Sequence, residues 1–155
     1  MDENGLIGAG GVMPWHLPSE LRHFRRKTLH KPVLMGRRTF AAIGGPLKQR
    51  DNLVLSRDPQ FTAAGVQRVA SVEEACAQAD SAAELVVIGG AQVYALALPA
   101  VSTMYLTRVH AGFAGDTWFP DIEWRQWEES SCEHHPADAD NRWAYSCMEY
   151  QRRMQ

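Results

Sequence analysis

Pro32-Val33-Leu34-Met35-Gly36-Arg37-Arg38-Thr39-Phe40-Ala41-Ala42-Ile43-Gly44-Gly45-Pro46 joins an apolar run to a glycine, a polar turn and a short helical segment. Four apolar residues ending in Gly36 read as a strand buried on both faces, and Gly44-Gly45-Pro46 stops the helix behind it. The pattern recurs along the chain. Asn52-Leu53-Val54-Leu55-Ser56 repeats the buried-strand pattern and is closed by Asp58-Pro59, and Val66 to Val69 is a brief third run. Ser71-Val72-Glu73-Glu74 has the capping-box spacing that opens a helix through Ala79. Leu85-Val86-Val87-Ile88 ends in Gly89-Gly90 and is followed by a helix over Ala91 to Leu98, which Pro99 stops; Thr103 to Val109 is a further strand. Alternating strands and helices call for an α/β fold with a mostly parallel central sheet flanked by helices. The tail differs: Trp127 to Glu133 and Trp143 to Arg152 read as an antiparallel C-terminal hairpin.

Upstream, Pro14 and Pro18 flank Trp15 in a loop, because neither proline can donate within a helix or central strand. Pro18 and Ser19 then open a helix through Lys27. On it Glu20 and Phe24 stand four apart beside Leu21, so a carboxylate shares an apolar face. Such an acid costs several kcal/mol unless it is paired or used, although a first-turn acid is also favoured by the helix dipole alone.

With 155 residues and 45% hydrophobic content, the chain is expected to form a single domain, 1–155. Sixteen basic against 18 acidic residues, with no basic run beyond Arg25-Arg26-Lys27, argue against nucleic acid as partner. No run is apolar enough for a membrane span. Three cysteines, Cys76, Cys132 and Cys147, form no metal spacing and fit a reducing cytoplasm. His134-His135 lacks a Cys or a second His pair at ligand spacing, so no metal is expected.

Two strand-to-helix junctions have features of anion sites. Gly36-Arg37-Arg38-Thr39 offers two guanidinium groups and a hydroxyl at a helix start, and Gly89-Gly90 lets backbone approach a ligand before the next helix. Ser56-Arg57 adds a cation after the neighbouring strand. A lone Gly-Gly is more often a tight turn, but three such features at the carboxyl ends of strands are where open α/β sheets bind ligands. Neither G-x-G-x-x-G nor the Walker pattern occurs, so a dinucleotide would not be held in the usual Rossmann manner.

The chain resembles the bacterial dihydrofolate reductases. The likeness runs through Leu6-Ile7-Gly8, Met13-Pro14-Trp15, Leu17-Pro18, Glu20, Phe24, Lys31 to Arg37, Ile43-Gly44 and Pro46-Leu47. It continues through Arg50, Leu55-Ser56-Arg57, Val87 to Gly90, Val93-Tyr94, Tyr105-Leu106-Thr107, Gly115-Asp116-Thr117 and Phe119-Pro120. The resemblance implies that fold, and an NADPH-dependent reduction of 7,8-dihydrofolate to tetrahydrofolate. Glu20 would be the acid in the pterin pocket, Trp15 would help hold a water beside it, Met13 would ride the loop that closes over nicotinamide, and Thr107 would bond to the acid and water. Leu21, Phe24, Ile43, Leu47, Ile88 and Tyr94 would border the substrate, with Arg50 gripping the carboxylate of its glutamate tail. Arg37 and Arg57 would take the 2′-phosphate of NADPH, and Arg38 and Thr39 the pyrophosphate. Gly36, Leu55, Ser56, Gly89, Gly90, Gln92, Val93 and Tyr94 would line the cofactor. Gly115-Asp116 would belong to a loop touching the Met13 loop. Implied partners are dihydrofolate and antifolate-type molecules, with no nucleic acid or membrane. The expected state is a monomer unless another chain supplies a strand.

Three features depart from the family pattern. Family members begin with an apolar strand, whereas Met1 to Gly5 already matches the polar turn after it, so the chain is expected to be a truncated form of a longer reading frame. A central strand of about five residues would carry on the order of ten ladder hydrogen bonds at about 1 kcal/mol each, comparable to the roughly 5–15 kcal/mol stability of a domain. Lys48-Gln49 replaces a more usual Pro-Gly-like turn, and Gln92 stands where a cofactor-facing arginine is common. Alternative readings are a folate- and NADPH-binding but inactive reductase and a riboflavin-pathway pyrimidine reductase; Trp15 with Glu20, and Arg50, favour folate.

Overall fold

The computed structural model describes residues 1–154 and divides into two compact units, Phe24–Ala97 and a second built from Met1–His23 with the chain from Leu98 onward. Helix α1 (Pro18–Thr28) contributes to both.

The Phe24–Ala97 unit is the repeating strand-helix part. Strands β2 (Pro32–Gly36), β3 (Asp51–Leu55), β4 (Val66–Val69) and β5 (Val86–Gly89) form a parallel sheet in the order β4-β3-β2-β5. Its helices are α2 (Arg37–Ile43), α3 (Val72–Gln78) and α4 (Ala91–Ala97). Val33, Leu34 and Met35 are wholly buried because β2 is covered on both faces. Alternation splits them. Leu34 packs with Leu53, Val69, Ala75 and Val93, whereas Val33 and Met35 pack with Val54 and, at its margin, Phe40, Leu47 and Phe61. Each such burial contributes about 1.5–3 kcal/mol. The Ser71 hydroxyl caps α3 by accepting the Glu74 N–H at 3.0 Å, as the capping-box spacing requires.

In the other unit β6 (Thr103–Val109), β8 (Trp127–His135) and β9 (Tyr145–Arg152) form an antiparallel sheet in the order β6-β9-β8. The alternation along the chain points to a parallel sheet for Thr103 to Val109; the structure instead pairs it antiparallel with β9 from Thr103↔Gln151 to Val109↔Tyr145. A tail returning along β6 satisfies the same backbone groups without a crossover helix. A short ladder between β1 (Leu6–Gly8) and β7 (Thr117–Trp118) carries too little periodicity to be read from sequence. Trp15, Leu17, Val109, Tyr145 and Cys147 form the core, with Ala111, Phe113 and Trp143 against it.

Two polar anchors hold this unit. Asp2 is fully buried, and its carboxylate accepts the N–H groups of Asn4, Leu6 and Phe113 at 2.8, 2.8 and 3.0 Å. Arg152 lies over the Trp127 ring at 4.4 Å and donates to the carbonyls of Leu98 and Val101 and to Gln126. Met1 continues along β6: its amino group donates to the Thr107 carbonyl and the Val109 N–H donates to the Met1 carbonyl. Among the described residues no helix is long and apolar enough to cross a membrane.

Candidate functional site

The acid stands at the start of α1, in the unit built on β6-β9-β8. Asn141 holds that helix start: its amide oxygen accepts the Ser19 N–H at 3.1 Å and its amide nitrogen donates to the Ser19 hydroxyl at 2.9 Å. Asp138 fixes Asn141 in turn, accepting its backbone N–H at 2.7 Å and its side chain at 3.0 Å. These hydrogen bonds hold down the Asp138 pKa. Asn141 was missed from sequence. An Asp-rich loop announces Asx turns, but not the element against which they close.

Glu20 is partly buried, and the Thr107 hydroxyl on β6 donates to its Oε1 at 3.1 Å. Burial pushes the Glu20 carboxyl above the usual range, against the opposing pull of Thr107 and of the Met1 ammonium. The expected pairing of Glu20 with Thr107 is therefore present. Trp15 is 9% exposed and packs on Phe113 at 5.4 Å, while Phe113 meets Trp143 edge-on at 5.0 Å. Val12 and Met13, by contrast, are 62% and 51% exposed. Their loop is held at its base, where Asp116 accepts the Gly10 N–H at 3.3 Å and donates its own N–H to the Gly8 carbonyl at 3.1 Å. The expected contact between the Gly115-Asp116 loop and the Met13 loop is thus made. At Gly115 a Cβ would sit 2.5 Å from the Gly8 carbonyl oxygen, which explains the glycine.

The Phe24–Ala97 unit holds the cationic positions. Arg50 donates through Nε to the Lys48 carbonyl at 2.9 Å and through Nη1 to the Thr28 hydroxyl at 3.0 Å. Thr28 is buried and donates to the Phe24 carbonyl, so α1 locks the guanidinium in place. No carboxylate pairs with Arg50 among the described residues, and burial with the nearby Arg25 lowers its pKa. A second residue that sequence reasoning missed, buried Asn52, ties this loop down. It accepts the Leu47 N–H and donates to the carbonyls of Leu47 and Arg50 at 2.9–3.0 Å. Leu47 and Ile88 pack at the margin of the Val33 cluster, Phe24 is partly buried, and Leu21 and Ile43 are exposed at 42% each.

At the strand ends, Arg37 reaches Asp58 at 3.5 Å and lies over the Phe61 ring at 4.9 Å. Arg38, Arg57 and Gln92 are exposed, and Thr39 is partly buried. The Ser56 hydroxyl accepts the Asp58 N–H at 3.2 Å and shapes the turn that carries Arg57; Arg68 Nε donates to the Ser56 carbonyl at 3.0 Å. Leu55 and Val93 pack with the Leu34 core, so at a ligand they offer backbone or support. Space at the glycines is tight: a Cβ on Gly36 would lie 3.1 Å from Val93, on Gly89 3.4 Å from the Tyr94 ring, and on Gly90 3.4 Å from the Thr39 hydroxyl. Gly89 has φ +121°, a conformation L side chains rarely adopt. Bare backbone flanked by exposed guanidinium groups suits a phosphorylated, extended cofactor.

Comparison with known proteins agrees with this geometry. The sequence profile of the dihydrofolate reductase family matches residues 1–152. The chain is 49% identical to dihydrofolate reductase type 3 of Salmonella typhimurium over 144 residues, covering 93% of this chain and 88% of that protein. It is 42% identical to the dihydrofolate reductase of Haemophilus influenzae with the same coverage. Among solved structures it resembles the dihydrofolate reductase from Enterococcus faecalis complexed with NADP(H) and RAB-propyl. The TM-score is 0.93 at 40% identity, over 99% of this chain and 93% of that one.

Proposed function

The chain belongs to the dihydrofolate reductase family, and from that premise we propose how its residues reduce 7,8-dihydrofolate to tetrahydrofolate with NADPH. NADPH, when bound, supplies the hydride that adds to the pterin carbon beside the nitrogen that gains a proton. The observation that carries the reading is Glu20, a partly buried acid on a helix start with one hydroxyl donor, Thr107. Its remaining acceptor capacity suits the amide and amino groups of a pterin ring. The carboxylate orients the ring and polarises a water that delivers the proton, with Trp15 bordering that water. Met13, on its exposed loop, covers the reacting faces and excludes bulk water.

The other roles follow from charge and space. Arg50 presents to the carboxylate of the glutamate tail a guanidinium that has no acidic partner among the described residues. Arg57 and Arg37 take the 2′-phosphate, Arg38 and Thr39 the pyrophosphate, and Gly36, Gly89 and Gly90 let backbone approach it. Phe24, Ile43, Leu47, Leu21, Ile88 and Tyr94 give apolar contact to the substrate, while Leu55, Ser56, Gln92 and Val93 border the cofactor. Antifolate-type molecules would occupy the pterin position. The exposed thiols of Cys76 and Cys132 fit a reducing cytoplasm, and we assign a monomer there.

The test is NADPH oxidation by the chain with and without dihydrofolate, repeated with NADH. Dihydrofolate-dependent oxidation with preference for NADPH is expected. Oxidation indifferent to dihydrofolate, or none by folded protein, would contradict the reading.

A further inference from the structure

On the antiparallel sheet, away from Glu20 and Thr107, two histidines aim ring nitrogens at one hydroxyl. His110 Nε2 lies 2.7 Å and His134 Nδ1 3.2 Å from the Ser146 Oγ, and the two ring centroids are 5.3 Å apart. Register places them there: His134 pairs with Ser146 across β8 and β9, and His110 follows β6 one residue beyond Val109, which pairs with Tyr145. Residues paired across a ladder share a face, so all three side chains project from the same side. Both imidazoles are exposed, whereas Ser146 is buried beneath them at 6% exposure.

A serine hydroxyl has one proton, so it donates to one of these nitrogens and accepts from the other. At least one imidazole lone pair therefore points at the shared position. Moving a ring proton to the far nitrogen of the second histidine brings its lone pair there too, without changing the charge of either ring. We propose that His110 and His134 form a two-nitrogen surface site for a borderline or soft divalent transition metal, of the Cu²⁺, Ni²⁺ or Zn²⁺ class, the Ser146 hydroxyl rotating out of the shared position and water completing the coordination. Imidazole suits these ions, and exposure leaves the remaining positions to solvent. Among the described residues no group of three or more His, Cys, Asp or Glu converges on a metal position, so the site is bidentate. Arg108 also pairs with Ser146 and faces the same side. Its fixed charge opposes cations held by charge alone, which selects imidazole-binding metals over Mg²⁺ and Ca²⁺. The adjacent His134-His135 pair is not the site, because His135 turns to the opposite face and stacks on Tyr145 at 4.8 Å.

Untagged full chain titrated with NiCl₂, ZnCl₂ and MgCl₂ in a calorimeter, with Cu²⁺ electron paramagnetic resonance in parallel, tests this. The expected result is one Ni²⁺ or Zn²⁺ per chain, no Mg²⁺ response and a Cu²⁺ spectrum with two nitrogen ligands. His110→Gln and His134→Gln should each weaken Ni²⁺ binding at least tenfold and leave one nitrogen in the spectrum, while His135→Gln binds as wild type. A one-nitrogen spectrum in the wild type, loss of binding on His135→Gln, or no binding of Ni²⁺ at all would overturn the proposal. The wild-type spectrum decides even if a variant folds poorly.

Discussion

The surroundings of Glu20 and those of the arginines differ in how finished they are. Glu20 has its hydroxyl donor in place, on a helix start secured by Asn141 and Asp138. Arg38 and Arg57 project into solvent, and among the described residues Arg50 bonds only to neutral oxygens. An acid whose environment is set before ligand arrives acts on rate; cations whose charge awaits a partner act on affinity. The two regions should therefore fail differently when mutated.

The largest effect is expected at the acid. Glu20→Gln keeps the shape and removes the charge, and should lower kcat by on the order of 10²-fold or more, with NADPH affinity, read by fluorescence titration, nearly unchanged. Arg50→Ala comes next. It should raise the KM for dihydrofolate by tens of times, about 2 kcal/mol, and have little effect on a pterin substrate lacking the glutamate tail. Smaller still are the cofactor arginines. Arg57→Ala should cut the preference for NADPH over NADH about tenfold, and Arg37→Ala by less, because Asp58 already offsets part of the Arg37 charge. Equal losses from the two would break the distinction between free and paired cations.

The smallest effect sharpens the acid's side. Glu20 holds its proton in the folded chain at pH values where the unfolded chain has released it, because its folded pKa is raised above 4.5. Its contribution to stability therefore falls as pH climbs from 4.5 through that raised value. Thr107→Val removes a hydrogen bond that favours the ionised form, so this fall should extend to higher pH, whereas Glu20→Gln should abolish it. Urea unfolding across a pH series reads both.

The parallel strands were the most legible part of the chain. β2 begins and ends within a residue of the run Pro32 to Met35, because a strand covered on both faces is apolar along its length and bounded by turn residues; β4 matches Val66 to Val69 as an edge strand in which only Val69 is buried. The Thr103 to Val109 strand was found as a strand but not its partners: a half-buried segment reveals that it pairs, not with what. At the site, Glu20 was visible as an acid on an apolar helix face, but its substrate came from family resemblance. Asn141, Asn52 and the meeting of His110 with His134 were not visible. Asn141 and the histidine pair meet residues brought near only by folding, over separations of 122 and 24 positions, whereas Asn52 closes its own loop over five positions without a local periodicity to mark it.

The direct test of the account is steady-state kinetics of Glu20→Gln and Arg50→Ala side by side, each with dihydrofolate varied at saturating NADPH. The division between a prepared acid and waiting cations predicts that the first variant loses kcat and the second loses KM with kcat kept. Loss of the same parameter in both, or full kcat without the Glu20 carboxylate, would contradict it.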